Sequence, residues 1–190
     1  MCGIVGYVGP RQATAILLEG LKRMEYRGYD SAGIAVINGD GVKIRKAAGK
    51  LSVLVDHIKG SEPNGTVGVG HTRWATHGAP TTPNAHPHTD KSGRIAVIHN
   101  GIIENAGTIR KALANRGHVF QSETDTEVLA HLIGEYYTTD LEDAVASALW
   151  DVEGAYGIAV ICSDEPNTVI AARNGSPLLV GVGDDEYFVA

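Results

Sequence analysis

The chain has 190 residues, 43% hydrophobic and 20% charged, proportions ordinary for a globular domain large enough to bury its own core without a metal or disulfide staple. A net charge of −6 disfavours nucleic acid as a partner, and no apolar run has the length of a membrane span or the layout of a secretory leader. Two cysteines, Cys2 and Cys162, make no disulfide framework, so a reducing, cytoplasmic setting is the default expectation.

In chain order, apolar periodicity predicts a strand at 3–8, a helix at 13–26, strands at 33–37 and 42–47 and a helix at 52–59. Strands at 66–71 and 94–99 follow, then helices at 106–116, 126–137 and 141–152, then strands at 156–161, 168–172, 178–182 and 187–189. Asn38-Gly39-Asp40-Gly41 reads as a hairpin turn. Thr124-x-x-Glu127 and Thr139-x-x-Glu142 read as capping boxes, and Gly28, Gly117 and Gly154 as helix C-caps. Strands arrive in groups with helices between the groups, which argues for antiparallel or mixed sheets with helices outside. The segments 33–37, 94–99 and 156–161 are apolar over most of their length, as expected of sheets covered on both faces. The chain stops inside a predicted strand, and one domain spanning 1–190, truncated at its C-terminus, is the expectation.

Removal of Met1 would leave Cys2 with a free α-amine at the head of an apolar strand. Nucleophile and base would then share one residue, because an α-amine titrating near ~8 can accept the proton of a thiol whose ordinary pKa is ~8.5. On position alone, Cys2 is more often a small buried residue. Three polar clusters stand at element boundaries. His71-Thr72-Arg73-Trp74-Ala75-Thr76-His77-Gly78 concentrates donors where a loop should begin. His99-Asn100-Gly101 sets a carboxamide beside an unhindered backbone N–H, which suits an oxyanion hole but alone is more often a turn. Ser122-Glu123-Thr124-Asp125-Thr126-Glu127 opens a helix, where acidic residues usually serve the cap. His86-x-His88 lacks companions at ligand spacing, so no metal and no cofactor is expected, and Cys162 reads as a core residue.

Taken together, CGIVGYVG, EYRGYDSAG, HTRWATHG, NAHPH, HNGIIEN, SETDTEV and GAYG, in this order along the whole chain, resemble the N-terminal glutaminase domains of the isomerising glutamine–fructose-6-phosphate aminotransferases, in the N-terminal-nucleophile hydrolase superfamily. Amidophosphoribosyltransferases share an Arg-Gly-x-Asp-Ser and a His-Asn-Gly, but Trp74 and Ala-His-Pro-His favour the sugar-phosphate enzymes. The resemblance implies an α+β fold, a four-layer αββα sandwich of two antiparallel sheets. It implies Cys2 as nucleophile, with Asn100 and Gly101 as oxyanion donors. Arg73 would clamp the α-carboxylate of L-glutamine, Asp125 would accept its α-ammonium, and Thr76 and His77 would make further contacts. Trp74 would shield the ammonia route, while Arg27 and His86 fall on motif positions without an assigned contact. It further implies an isomerase domain that receives the ammonia and a homo-oligomeric full-length form. Two rivals remain at this point: another ammonia acceptor such as phosphoribosyl pyrophosphate, and a non-catalytic glutamine sensor if Met1 is retained.

Overall fold

The computed structural model describes residues 2–75 and 78–190, with the backbone only at residue 27. Strands β1 (Gly3–Val8), β2 (Ser31–Asn38), β3 (Gly41–Ala48) and β4 (Val67–Arg73) are joined by helices α1 (Ala13–Arg23) and α2 (Leu51–Ile58). The two-residue strand β5 (His88–Thr89) precedes β6 (Ile95–Ile103), followed by helices α3 (Ala106–Asn115), α4 (Asp125–Tyr136) and α5 (Leu141–Trp150). Strands β7 (Gly154–Cys162), β8 (Ile170–Asn174), β9 (Val180–Val182) and β10 (Tyr187–Val189) complete the order.

Two sheets result, β3-β2-β4-β1-β10-β9 and β5-β6-β7-β8, and every pairing between named strands is antiparallel. Side chains of a strand alternate between faces, and the alternation here sorts the core into three layers. Ile4, Ala35, Ile37, Val67 and Val69 of the first sheet meet Ala96, Ile98, Ala159 and Ile161 of the second. Val5, Tyr7, Ile34 and Val36 turn the other way, onto Leu17 and Leu21 of α1 and Leu51, Leu54 and Ile58 of α2. Ile95, Val97, Ile158, Val160 and Cys162 turn onto the helices α3, α4 and α5 through Leu113, Leu129, Ile133, Leu141 and Ala148. Helix, sheet, sheet, helix is therefore the order of layers, the expected αββα sandwich, and the long apolar strands are covered on both faces.

Several local expectations shift. The first helix ends at Arg23 and a 3-10 turn, Glu25–Arg27, replaces its last turn, so Gly28 caps that turn instead. Thr124 caps α4 by accepting from the Glu127 N–H, but the Glu127 carboxylate does not return to it. That carboxylate accepts from the Gln121 and Ser122 backbone N–H groups and the Ser122 hydroxyl. The cap of α5 is Asp140, one residue beyond Thr139, because its carboxylate reaches the Asp143 N–H. Gly117 follows the α3 C-cap at φ +82°, whereas Gly154 opens β7 rather than closing a helix. The hairpin at 38–41 and the core position of Cys162 are as expected. No helix among the described residues is long and apolar enough to cross a membrane.

Candidate active site

β1 pairs with β4 so that Gly3 lies opposite Thr72, whose hydroxyl accepts the Gly3 N–H at 3.1 Å. Register alone therefore carries Cys2 to the end of β4, where Arg73 and Trp74 follow. The Trp74 N–H donates to the Cys2 Sγ at 3.2 Å, and Sγ lies 3.7 Å from the Trp74 carbonyl oxygen. Cys2 is partly exposed while Cys162 is buried, so of the two thiols it is Cys2 that opens on the surface.

The loop leaving β4 is pinned by Asp30, a residue of the EYRGYDSAG segment that the sequence analysis left without a role. Its N–H donates to the Arg73 carbonyl at 2.8 Å and its carboxylate accepts the Ala75 N–H at 2.6 Å. The exposed Trp74 indole lies over Gly28, where a Cβ would stand 2.7 Å from the ring, and glycine also accepts the φ of +71° found there. The Arg73 side chain is buried, with Nη2 3.5 Å from the Gly78 carbonyl oxygen.

The second sheet brings Asn100 and Gly101 from β6. The Asn100 Nδ2 donates to the Cys2 carbonyl at 3.4 Å, a bond that crosses between the sheets, while its Oδ1 lies 2.8 Å from the His71 Nε2. Gly101 has φ +136°, and a Cβ there would stand 2.0 Å from the Ala155 carbonyl oxygen, so only glycine fits. Asp125 is the first residue of α4, but its carboxylate does more than favour the helix dipole: Oδ2 accepts the Ile103 N–H at 2.9 Å and Oδ1 stands 3.9 Å from the His99 Nδ1.

Cys2, Arg73, Trp74, His86, Asn100, Gly101 and Asp125 line one cavity of about 520 Å³. Thr76, His77 and Met1 lie outside the described residues, as does the side chain of Arg27. His86 is buried, its ring 4.3 Å from that of His71 and 5.1 Å from that of His88. Burial pushes the His71 pKa down to about 3 and holds His86 and His88 well below the usual imidazole value; it lowers His99 as well, against the attraction of Asp125. These imidazoles are thus neutral at pH 7, and among the described side chains of the cavity wall the charged ones are the Arg73 cation and the Asp125 anion. Among the described residues no group of three or more His, Cys, Asp or Glu is placed to hold a metal ion.

Three further parts of the site, His71, His99 and the segment after β8, are not among the residues expected from the sequence. His71 and His99 stand behind Asn100 and Asp125, and their positions at the ends of two apolar strands were the available signal. The Ser176, Pro177 and Leu179 segment after β8 closes another wall, with the Ser176 hydroxyl 3.4 Å from the Asn100 carbonyl oxygen. Nothing local marks those residues, since only the return of the chain brings them there.

A family profile for the glutamine amidotransferase domain matches residues 71–190. The chain is 58% identical over all 190 residues to the glutamine–fructose-6-phosphate aminotransferase (isomerizing) of Thermus thermophilus and covers 31% of that protein. It is 52% identical over 192 aligned positions to the enzyme of the same name from Pyrococcus horikoshii, with 100% of this chain and 32% of the relative covered. The chain thus spans about a third of the length of these relatives. Among solved structures, the glutamine phosphoribosylpyrophosphate amidotransferase of B. subtilis superposes with a TM-score of 0.84 at 30% identity, covering 100% of this chain and 41% of that one. A glutamine aminotransferase class-II domain protein from Silicibacter pomeroyi shares the fold at TM-score 0.66 and 17% identity, covering 100% of this chain and 87% of its own. Profile and full-length alignments agree with the sandwich and with the motifs in register along it, and the chain belongs to the glutamine amidotransferase domain family.

Proposed function

We propose that this chain is the glutaminase part of a glutamine–fructose-6-phosphate aminotransferase, hydrolysing L-glutamine to glutamate and ammonia through a thioester on Cys2. The observation that carries the reading is the meeting, in one cavity, of a thiol, an Asn-Gly pair and two opposite charges: Cys2, Asn100, Gly101, Arg73 and Asp125. Identity of 52–58% over the whole chain to enzymes of that name supports this acceptor over phosphoribosyl pyrophosphate, since the B. subtilis amidotransferase named for the latter aligns at 30%.

In this reading Met1 is removed and the Cys2 α-amine, through water, takes the thiol proton. The thiolate attacks the amide carbon of glutamine, and the oxygen that becomes anionic accepts from the Asn100 Nδ2 and the Gly101 N–H. Collapse breaks the C–N bond, the α-ammonium returns the proton to the leaving nitrogen, and ammonia departs. Water then attacks the γ-glutamyl thioester through a second oxyanion, releasing glutamate and restoring the thiol. The Arg73 guanidinium pairs with the substrate α-carboxylate and the Asp125 carboxylate with its α-ammonium, so the substrate ends are recognised apart from the reacting centre. Trp74, lying over Gly28 beside Cys2, shields the ammonia; Thr76 and His77 add contacts; Arg27 and His86 support the motifs they belong to.

The isomerase domain of the full polypeptide receives the ammonia, in a homo-oligomeric cytoplasmic enzyme without cofactor. Ammonia and glutamate assays on protein of verified intact mass test the reading. Protein lacking Met1 is expected to turn over glutamine, and the 190-residue chain alone to form no amino sugar from fructose 6-phosphate. Turnover with Met1 still attached would remove the α-amine from the mechanism. Folded, processed protein that released no ammonia would leave a glutamine-binding domain instead.

A further inference from the structure

We infer that His71 is a positioning residue for the proposed oxyanion hole: its Nε2–H holds the Asn100 carboxamide oxygen, so that Nδ2 is the atom turned toward Cys2. This rests on the glutaminase reading above and deepens it. The alternation that sends Val67 and Val69 into the layer between the sheets sends His71 there too, two residues further along β4. A fully buried polar ring in an apolar layer is costly unless it is bonded. Its hydrogen bond is to Asn100, 2.8 Å from Nε2 to Oδ1, whereas Nδ1 has no hydrogen-bond partner among the described residues.

Two neighbours fix which way round this pair sits. His71 is neutral, because burial disfavours its cation, and a neutral imidazole carries one N–H. The Asn100 amide atom on the far side faces the Cys2 carbonyl oxygen at 3.4 Å, and only an NH₂ makes that contact attractive. Oδ1 therefore points at His71, and the single imidazole proton must lie on Nε2. The ring cannot swing away, since His86 packs on it at 4.3 Å, while β1 and β2 flank it through Ile4 and Gly33. An asparagine amide otherwise has two orientations related by a half-turn about a soft torsion. The wrong one would present oxygen to a developing oxyanion. His71 removes that alternative without touching the substrate.

The test compares two substitutions of similar polarity in the intact, processed polypeptide. Glutamine at 71 places its amide N–H near the former Nε2, whereas asparagine places it near the former Nδ1. His71→Asn is expected to lower kcat about 10- to 100-fold with KM for glutamine within about twofold, a smaller loss than the ~10²–10³ expected on deleting the Asn100 donor itself. His71→Gln is expected to recover most of that loss. In an Asn100→Ala background, His71→Asn should add less than about a twofold further loss, because a positioner has nothing left to position. Independently of activity, multiple-bond ¹H–¹⁵N spectra of the wild-type protein should show His71 as the neutral Nε2–H tautomer throughout pH 5–8. An Nδ1–H tautomer, an additive double mutant, or equal loss in both single variants would overturn the inference. A wild-type protein that releases no ammonia would instead refute the glutaminase reading, whichever tautomer is found.

Discussion

The Trp74 backbone N–H points at the Cys2 sulfur from 3.2 Å, so the residue that begins the loop after β4 locates the thiol at the head of β1. The contact depends on antiparallel register, Gly3 opposite Thr72, and on Asp30 holding the turn from behind. It links the two ends of the mechanism, the nucleophile and the tryptophan proposed to shield its product.

Alkylation should follow exposure. Iodoacetamide is expected to modify Cys2 and to spare Cys162, which is fully buried and whose thiol pKa burial pushes up. Peptide mass mapping after brief treatment checks this. Loss of ammonia release should track Cys2 modification, and Cys2→Ala should be inactive yet still bind glutamine. Inactivation that followed Cys162 instead would place the chemistry elsewhere.

Removal of the carboxamide at Asn100 should affect turnover more than binding. Asn100→Ala is expected to lower kcat by ~10²–10³ with little change in KM, the signature of an interaction made chiefly in the transition state. Gly101→Ala should fail differently, through a lost fold or a displaced strand, since its Cβ would stand 2.0 Å from the Ala155 carbonyl oxygen at φ +136°. Steady-state kinetics beside thermal unfolding separates the two effects.

Charge at the cavity wall should decide substrate recognition. Asp125→Asn preserves the size of the side chain and an acceptor for the Ile103 N–H but removes the anion. It is expected to raise KM for glutamine at least tenfold, about the effect of losing a charged hydrogen bond, with a smaller change in kcat. Arg73→Lys, which keeps the charge but not the planar fork, should also raise KM. Unchanged KM in both variants would separate these residues from substrate binding.

Stability should fall on acidification through the buried histidines. His71, His86, His88 and His99 stay neutral in the native state because burial disfavours their charged forms. In the unfolded chain they protonate near pH ~6.5, so below that pH the unfolded state binds more protons and native stability rises with pH. The stability is therefore present above about pH 6.5 and lost as pH falls, with a slope of up to ~1.4 kcal/mol per pH unit for each such histidine. For His71 the window extends down to about pH 3. Urea unfolding at pH 7, 6 and 5 measures the slope, and His88→Gln, able to keep a bond to the Thr124 hydroxyl, should reduce it by about one proton. A slope unchanged in that variant would mean that His88 does not contribute.

The layer structure was legible because it depends on local periodicity. The near-continuous apolar runs in 33–37, 94–99 and 156–161 already mark strands buried on both faces, and the helical runs fall where helices are found. Caps were less legible. Thr139 and Asp140 are both competent N-caps, and the backbone path at the start of α5 selects Asp140. Glu127 has the spacing of a capping box, yet its carboxylate is taken by the chain before the helix, where two backbone N–H groups converge on it.

By itself the sequence determined the order of the longer strands and helices, antiparallel or mixed sheets with helices outside, and the short motifs carrying Cys2, Arg73, Asn100, Gly101 and Asp125, because hydrophobic period and residue type act within a few positions; the two-residue strand β5 and the 3-10 turn before Gly28 left no such mark. Only tertiary structure decided that these motifs face one cavity, since strand register and the stacking of two sheets bring together residues as far apart as 2 and 125. It also decided what stands behind them. Asp30 clamps the loop after β4, and His71 meets Asn100 across the gap between sheets, 29 residues apart in the chain. A hydrogen bond of that kind depends on two side chains meeting in a buried layer, and no local pattern in either strand encodes the meeting.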